Sequence, residues 1–233
     1  QALVGGLLGA ALLEGGADAV RWGGFDGLHP VGVVGTVVAL AISPPLGALA
    51  ALVVIRALRR AARRATARWR TPVHAGQWGT AAALAFGHGA NDAQKSVGVI
   101  AALLVADGEI GTLSAAPGWA TLACAAALTA GTALGGWRII RTVGRRIYRL
   151  QPLEGLASQT SSARVILGAS LLGGTTSTTQ VVASSVVGIG AGRRRLHHVR
   201  WQVVRQMGFA WLVTIPGTAA LAVCALGLWR WLT

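Results

Sequence analysis

The sequence predicts an all-α polytopic membrane protein with discontinuous helices, a re-entrant hairpin and an inverted repeat. Three observations carry that expectation. First, 53% of the 233 residues are hydrophobic, only 12% are charged, and the mean hydropathy is +0.58, which is too apolar for a soluble domain of this length. Second, the cations come in three arginine blocks between apolar stretches, "RALRRAARRATARWR" (56–70), "RIIRTVGRRIYR" (138–149) and "RRRLHHVR" (193–200), the pattern of cytoplasmic loops. Third, two polar islands, "GANDAQKS" (89–96) and "TTSTTQ" (175–180), interrupt otherwise apolar runs. The arginine blocks account for the net charge of +14, so no nucleic-acid partner is expected.

The apolar stretches fall at 2–13, 31–55, 79–106, 117–137, 163–192 and 207–229. A span needs about 20 residues. The second, fourth and sixth stretches are therefore expected as ordinary transmembrane helices, the first as too short, and the third and fifth as broken by their polar residues. Trp78, Trp119, Trp137, Trp201 and Trp229 lie near the edges of the runs, where interfacial tryptophans sit. With the arginines on the cytoplasmic side, 31–55 runs inward, 79–106 outward to "ADGEIG" (106–111), and 117–137 inward again. Residues 150–192 begin and end beside arginine blocks. They are expected to form a re-entrant hairpin turning near "GGTTSTTQ" (173–180), the alternative being two short full spans with an outside loop. Irregular backbone at that depth is tolerated only where protein or a water-filled cavity surrounds it. The expected location is the cell inner (plasma) membrane, crossed several times. Cys124 and Cys224 stand singly in apolar runs and are expected as small packing residues, with no disulfide and no cofactor. The chain opens on Gln1, its single methionine is Met207, and it has no signal-peptide pattern, so the natural start is expected upstream.

Two segments recur in the same order. "QALVGGLLGAAL" (1–12) aligns with "QVVASSVVGIGAG" (180–192), and "LAISPPLGALAAL" (40–52) aligns with "LVTIPGTAALAV" (212–223), prolines coinciding. Three spans separate the first copy's tail from the second hairpin. An odd number of crossings points the copies in opposite directions, the inverted repeat of many secondary transporters. The expected organisation is 1–55 as the tail of a first repeat, 56–78 as a basic cytoplasmic linker and 79–233 as the second repeat. The remainder of the first repeat is expected upstream, as a missing N-terminal half.

The islands carry the chemistry. Hydroxyls, amides and freed N–H groups at helix ends suit an anion with four oxygens, because a helix N-terminus presents unpaired donors and a partial positive charge. A charged side chain at bilayer depth is costly and marks function. Asp92 cannot bind an anion directly, so its expected tasks are to ligate a coupling cation or to carry a proton. Each residue also has a structural reading. Asn91 and Asp92 can lock helix packing by hydrogen bonds. Ser177, Thr178 and Thr179 can cap a broken helix. Lys95, the single lysine, contacts an anion, pairs with Asp92 or snorkels. His88 is expected to be a packed histidine rather than a proton carrier. His197 and His198 are expected to be solvated, and Glu14, Asp18 and Asp26 to belong to an outside loop.

At the two islands the sequence resembles the inorganic phosphate transporter (PiT) family. The family's glycine-x-asparagine-aspartate motif is matched by Gly89, Ala90, Asn91 and Asp92, and its serine-threonine-threonine-histidine motif by Ser177, Thr178 and Thr179, with Gln180 in the histidine's place. "LEGLASQTSSARVILGAS" (153–170) resembles the first arm of the family's second hairpin, and Gln159 stands where many members carry glutamate. Both departures remove a titratable group, which affects a proton relay rather than oxyanion binding by hydroxyls. The resemblance covers nearly the whole chain. It implies a symporter, not an enzyme, that imports inorganic phosphate with a coupling proton or sodium ion, each half contributing one asparagine-aspartate segment and one hairpin around a central phosphate. The expected substrate-binding residues are Asn91, Ser177, Thr178, Thr179, Gln94 and Lys95. The expected coupling-ion residues are Asp92, Asn91 and Gln159, with Asp92 the candidate sodium ligand. Expected partners are phosphate, the coupling ion, the lipid bilayer and the missing N-terminal half, and a homodimer stays open. The alternatives are a permease for sulfate or another tetrahedral oxyanion, a membrane scaffold, and a membrane-embedded phosphoryl-handling enzyme. The enzyme would need a nucleophile or metal cluster that the scattered acids do not supply.

Overall fold

A computed structural model describes residues 1–26, 29–62, 70–142, 147–148, 150–171, 176–193 and 196–232. Among these residues there are seven α-helices: α1 Ala2–Gly15, α2 Gly32–Ala61, α3 Arg70–Ala106, α4 Gly118–Arg141, α5 Pro152–Leu171, α6 Thr178–Gly192 and α7 Trp201–Leu232. A two-residue antiparallel ladder, Phe25–Asp26 with His29–Pro30, is the small departure from an all-α fold. The chain divides into two compact units, Gln1–Ile42 with Arg200–Thr233, and Ser43–Val199.

Three helices are long and apolar enough to cross a membrane, at Gly32–Ala61, Gly118–Trp137 and Trp201–Leu232. They are the second, fourth and sixth apolar stretches, as expected. The 14 residues of α1 reach only about 21 Å, short of a hydrocarbon core of about 30 Å. Leu122 and Leu134 on α4 and Leu212 and Leu221 on α7 are exposed, as lipid-facing side chains would be. Pro44 and Pro45 lie inside α2 and Pro216 inside α7. Neighbouring helices and local adjustment re-satisfy the carbonyls that such prolines free in a membrane.

The third stretch corrects an expectation. The asparagine-aspartate island does not break its helix, because α3 runs unbroken from Arg70 to Ala106. Asn, Asp, Gln and Lys keep their backbone N–H and cost at most about 0.7 kcal/mol each in helix propensity, and Gly87 and Gly89 about 1 kcal/mol each. Only proline removes a donor and clashes with the preceding turn, and α3 carries none beyond its first turn. The fifth stretch does break, into α5 and α6. Of the expected turn, residues 173–175 lie outside the described residues, as do 63–69, 143–146, 149 and 194–195 of the arginine blocks.

Within Ser43–Val199, α6 is the buried centre. Val181, Ala183, Ser185, Val186 and Ile189 are all buried, between α5 on one side and the second half of α2 on the other. Small residues set the α2–α6 spacing. A Cβ on Gly188 would strike the Ala48 carbonyl oxygen and come within 2.8 Å of Ala48 Cα, and one on Gly47 would come within 2.7 Å of Val181 O. In the other unit, α1 packs on α7 the same way: a Cβ on Gly9 would come within 2.8 Å of Ala219 Cα. Lipid offers helices no hydrophobic driving force, so close backbone approach of this kind is what holds them together.

Substitution by alanine should therefore act with opposite signs at two helical glycines. Gly188→Ala must push α6 off α2 and should cost about 1–3 kcal/mol. Gly98→Ala meets nothing within 4 Å and should stabilise α3 by up to about 1 kcal/mol. Thermal unfolding in detergent measures both. Equal melting temperatures for the two variants would contradict the α2–α6 contact.

Candidate functional site

His88, Asn91, Asp92 and Lys95 stand at i, i+3, i+4 and i+7 on α3, a spacing that places them on one helix face. That face meets the start of α6. Ser177 is the N-cap of α6, and its Oγ accepts from Gln180 N at 3.4 Å. Thr176, one residue earlier, has a carbonyl outside the helix ladder. Asn91 Nδ2 donates to that carbonyl at 3.2 Å and Lys95 Nζ at 3.0 Å. His88 Nδ1 lies 2.8 Å from Thr178 Oγ1, and which of the two donates depends on the imidazole tautomer.

Asp92 is held from its own helix. Its Oδ1 accepts from Asn91 Nδ2 at 3.2 Å and from Lys95 Nζ at 3.3 Å, and its Oδ2 lies 3.6 Å from His88 Nδ1. The cluster is buried toward the hairpin and open on the other side. Asn91, Thr176 and Thr178 are buried, whereas the side chains of Asp92 and Lys95 are each 33% exposed. A charge pair so placed is only partly desolvated and can exchange partners with an arriving ion. The Asp92 carboxylate and the Thr176 carbonyl both accept from Asn91 Nδ2 and Lys95 Nζ, and oxygens of this kind are what hard metal cations prefer.

The remaining expected residues divide. Ser177 belongs to the cluster through its capping position. Thr179 and Gln94 are exposed and make none of the bonds above. Gln159 is engaged elsewhere, its Oε1 accepting from Thr80 Oγ1 at 2.9 Å. Thr80 lies three turns before Asp92 on α3, roughly 18 Å along the axis, so Gln159 is not brought to Asp92. The arms of α5 and α6 are tied by Ser158 Oγ and Ser185 Oγ at 2.6 Å. Cys124 is half-buried and Cys224 exposed, and neither is in a disulfide.

Two participants lie outside the expected site residues. Thr176 contributes a main-chain carbonyl, which no side-chain pattern announces. His88 was assigned to packing, although its spacing from Asn91, Asp92 and Lys95 already placed it on the same face. Lys95 pairs with Asp92, one of its three alternatives, and also donates to the Thr176 carbonyl, which none of them anticipates.

Comparison with known proteins bears on the family of the chain. The family model described as "Phosphate transporter family" matches residues 60–222. A "Probable low-affinity inorganic phosphate transporter" of Mycobacterium bovis is 40% identical over 229 residues, covering 98% of this chain and 53% of the relative. Proteins of the same description from Rhizobium meliloti and Bacillus subtilis are 35% and 31% identical, each over 226 residues, covering 96% and 97% of this chain and 65% of each relative. The chain thus spans about half to two thirds of the length of these relatives. No solved structure matches it. With the family model covering well over half of its residues, the chain belongs to the phosphate transporter family.

Proposed function

We propose that this chain serves a secondary active symporter that imports inorganic phosphate across the plasma membrane with a proton or sodium ion. The observation that carries this reading is the meeting of the Asn91-Asp92-Lys95 face with the capped, hydroxyl-bearing start of α6. The names of its relatives point to the same substrate. Phosphate takes the N–H groups and hydroxyls at the start of α6, with the Asn91 amide and the Lys95 ammonium. Without ligands, Lys95 is tied to Asp92. A proton or sodium ion on Asp92 replaces that tie and frees the ammonium for the anion. Each ligand thereby improves the site for the other, which is the reciprocal coupling that symport requires. Ser177 and Thr178 act from the cap, while Thr179 and Gln94 enter only once the site is filled.

In the same proposal α5 and α6 form the re-entrant hairpin, and residues 1–55 and 79–233 are inverted copies joined by the basic segment 56–78. Two features support it. The 15 residues of α6 reach about 22 Å, too short for a full span. The aligned segments also pack alike. α1, which aligns with α6, packs through Gly9 on α7 at Ala219, while α6 packs through Gly188 on α2 at Ala48. In the alignment Gly9 corresponds to Gly188, and Ala219 falls beside the counterpart of Ala48. Each of the two aligned short helices thus lies on a proline-containing helix, the same local packing in both pairs.

In purified protein, phosphate should bind more tightly as sodium or proton concentration rises, and Asp92→Asn should abolish that dependence. Asn91→Ala and Thr178→Ala each remove a hydrogen bond to a charged ligand worth roughly 1.5–3 kcal/mol, so affinity should fall about ten- to a hundredfold. Labelled-phosphate binding with sulfate as competitor measures all three. Cation dependence surviving in Asp92→Asn refutes the coupling role, and preference for sulfate moves the substrate to the other oxyanion.

The hairpin has a separate test. Single cysteines at Gln151 and His197, both exposed, introduced after replacing Cys124 and Cys224, should label from the same, cytoplasmic side in oriented vesicles. Labelling from opposite faces would make α5 and α6 full spans.

A further inference from the structure

We propose that Glu154 and Arg193 form a latch that closes the foot of the α5–α6 pair and so positions the turn bearing Ser177 and Thr178 against α3, a role that rests on the function proposed above. Glu154 is the third residue of α5, after Gln151 at the N-cap and Pro152 at the first helical position. Its Oε2 accepts from Gln151 N at 2.8 Å, the glutamate's half of a capping box. Its Oε1 accepts from Arg193 Nη1, and Arg193 is the C-cap of α6. The same guanidinium nitrogen lies 3.3 Å from Gln151 Oε1. One carboxylate therefore caps the start of one helix and grips the cation that ends the other.

The charges also face the correct helix ends. An acid sits at the partially positive start of α5 and a base at the partially negative end of α6. Glu154 is only 2% exposed and the Arg193 side chain 15%. Removing one partner of a buried ion pair leaves the other charge uncompensated, so the two groups are held to each other. Among the described residues it is the only ion pair within α5 and α6 or between them. The arms are also joined by the bond of Ser158 to Ser185, nearer the foot than the turn.

The lever is long. From Arg193 to Thr178 the 15 residues of α6 measure about 22 Å, so a tilt of about 5° at the foot moves the start of α6 by roughly 2 Å. That displacement exceeds what the bonds of Thr176 to Asn91 at 3.2 Å and of Thr178 to His88 at 2.8 Å can absorb. The latch touches no ligand. It is a positioning pair, and its effect is read at the other end of the hairpin.

The test uses the whole chain in detergent, with Cys124 and Cys224 replaced. Glu154→Gln and Arg193→Gln should each speed amide exchange at residues 176–181 and lower phosphate affinity, both by about tenfold, while the cation dependence set by Asp92 persists. Glu154→Cys with Arg193→Cys, bridged by a short bifunctional thiol cross-linker, should restore both quantities, and cleaving the linker should lose them again. Faster exchange confined to residues 150–156 and 190–193, with the turn and the affinity unchanged, would overturn the proposal. So would a bridged protein whose turn stays loose, which keeps the test decisive if the single variants unfold. A wild-type protein that binds no phosphate would sink the functional reading, while exchange at the turn would still decide the latch.

Discussion

The carbonyl of Thr176 is the constraint around which the site is arranged. A carbonyl just ahead of a helix has no partner in the helix ladder, and in an apolar surrounding an unpaired one costs several kcal/mol. Here it accepts from both Asn91 Nδ2 and Lys95 Nζ, 85 and 81 positions away. These two bonds join α3 to the residue that precedes α6. Once α3 is there, Asp92 and His88 follow by helical spacing, and the hydroxyl of Thr178 finds the imidazole. One polar requirement of the backbone thus selects a face of four polar side chains.

The apolar packing is arranged to permit this. Ser158 on α5 pairs with Ser185 on α6, while Ser161 donates back to the Ser158 carbonyl of its own helix. Glycines at 47 and 188 let α2 and α6 approach until backbone meets backbone. Bulkier residues there would hold the helices apart and admit water beside the turn, where it would compete for the Thr176 carbonyl.

Much of this was legible in the sequence. The three long apolar helices were read from length and composition, because a span imposes about 20 apolar residues regardless of partners. The meeting of "GANDAQKS" with "TTSTTQ" was read from resemblance and from the oddity of polar residues in apolar runs. The unbroken course of α3 was misread, since polarity was taken for a helix break when only backbone chemistry breaks helices. Thr176 escaped because a main-chain acceptor has no residue type. Gln159 shows a further limit: its position in a motif says what other members carry there, while its bond to Thr80 depends on how α5 lies along α3, which the sequence does not encode locally.

The charges of the cluster give the proposed symport its physical reason. Asp92 and Lys95 cancel at 3.3 Å, so the empty site is close to neutral and tolerable at depth. A phosphate monoanion arriving alone would leave one uncompensated negative charge in a medium where charges are expensive to bury. The same anion arriving with one cation on Asp92 restores neutrality and leaves Lys95 opposite the phosphate. A dianion would need a second cation for the same balance. Coupling on this view requires no separate gate, because a site that begins neutral and closes around an anion must close around a cation as well.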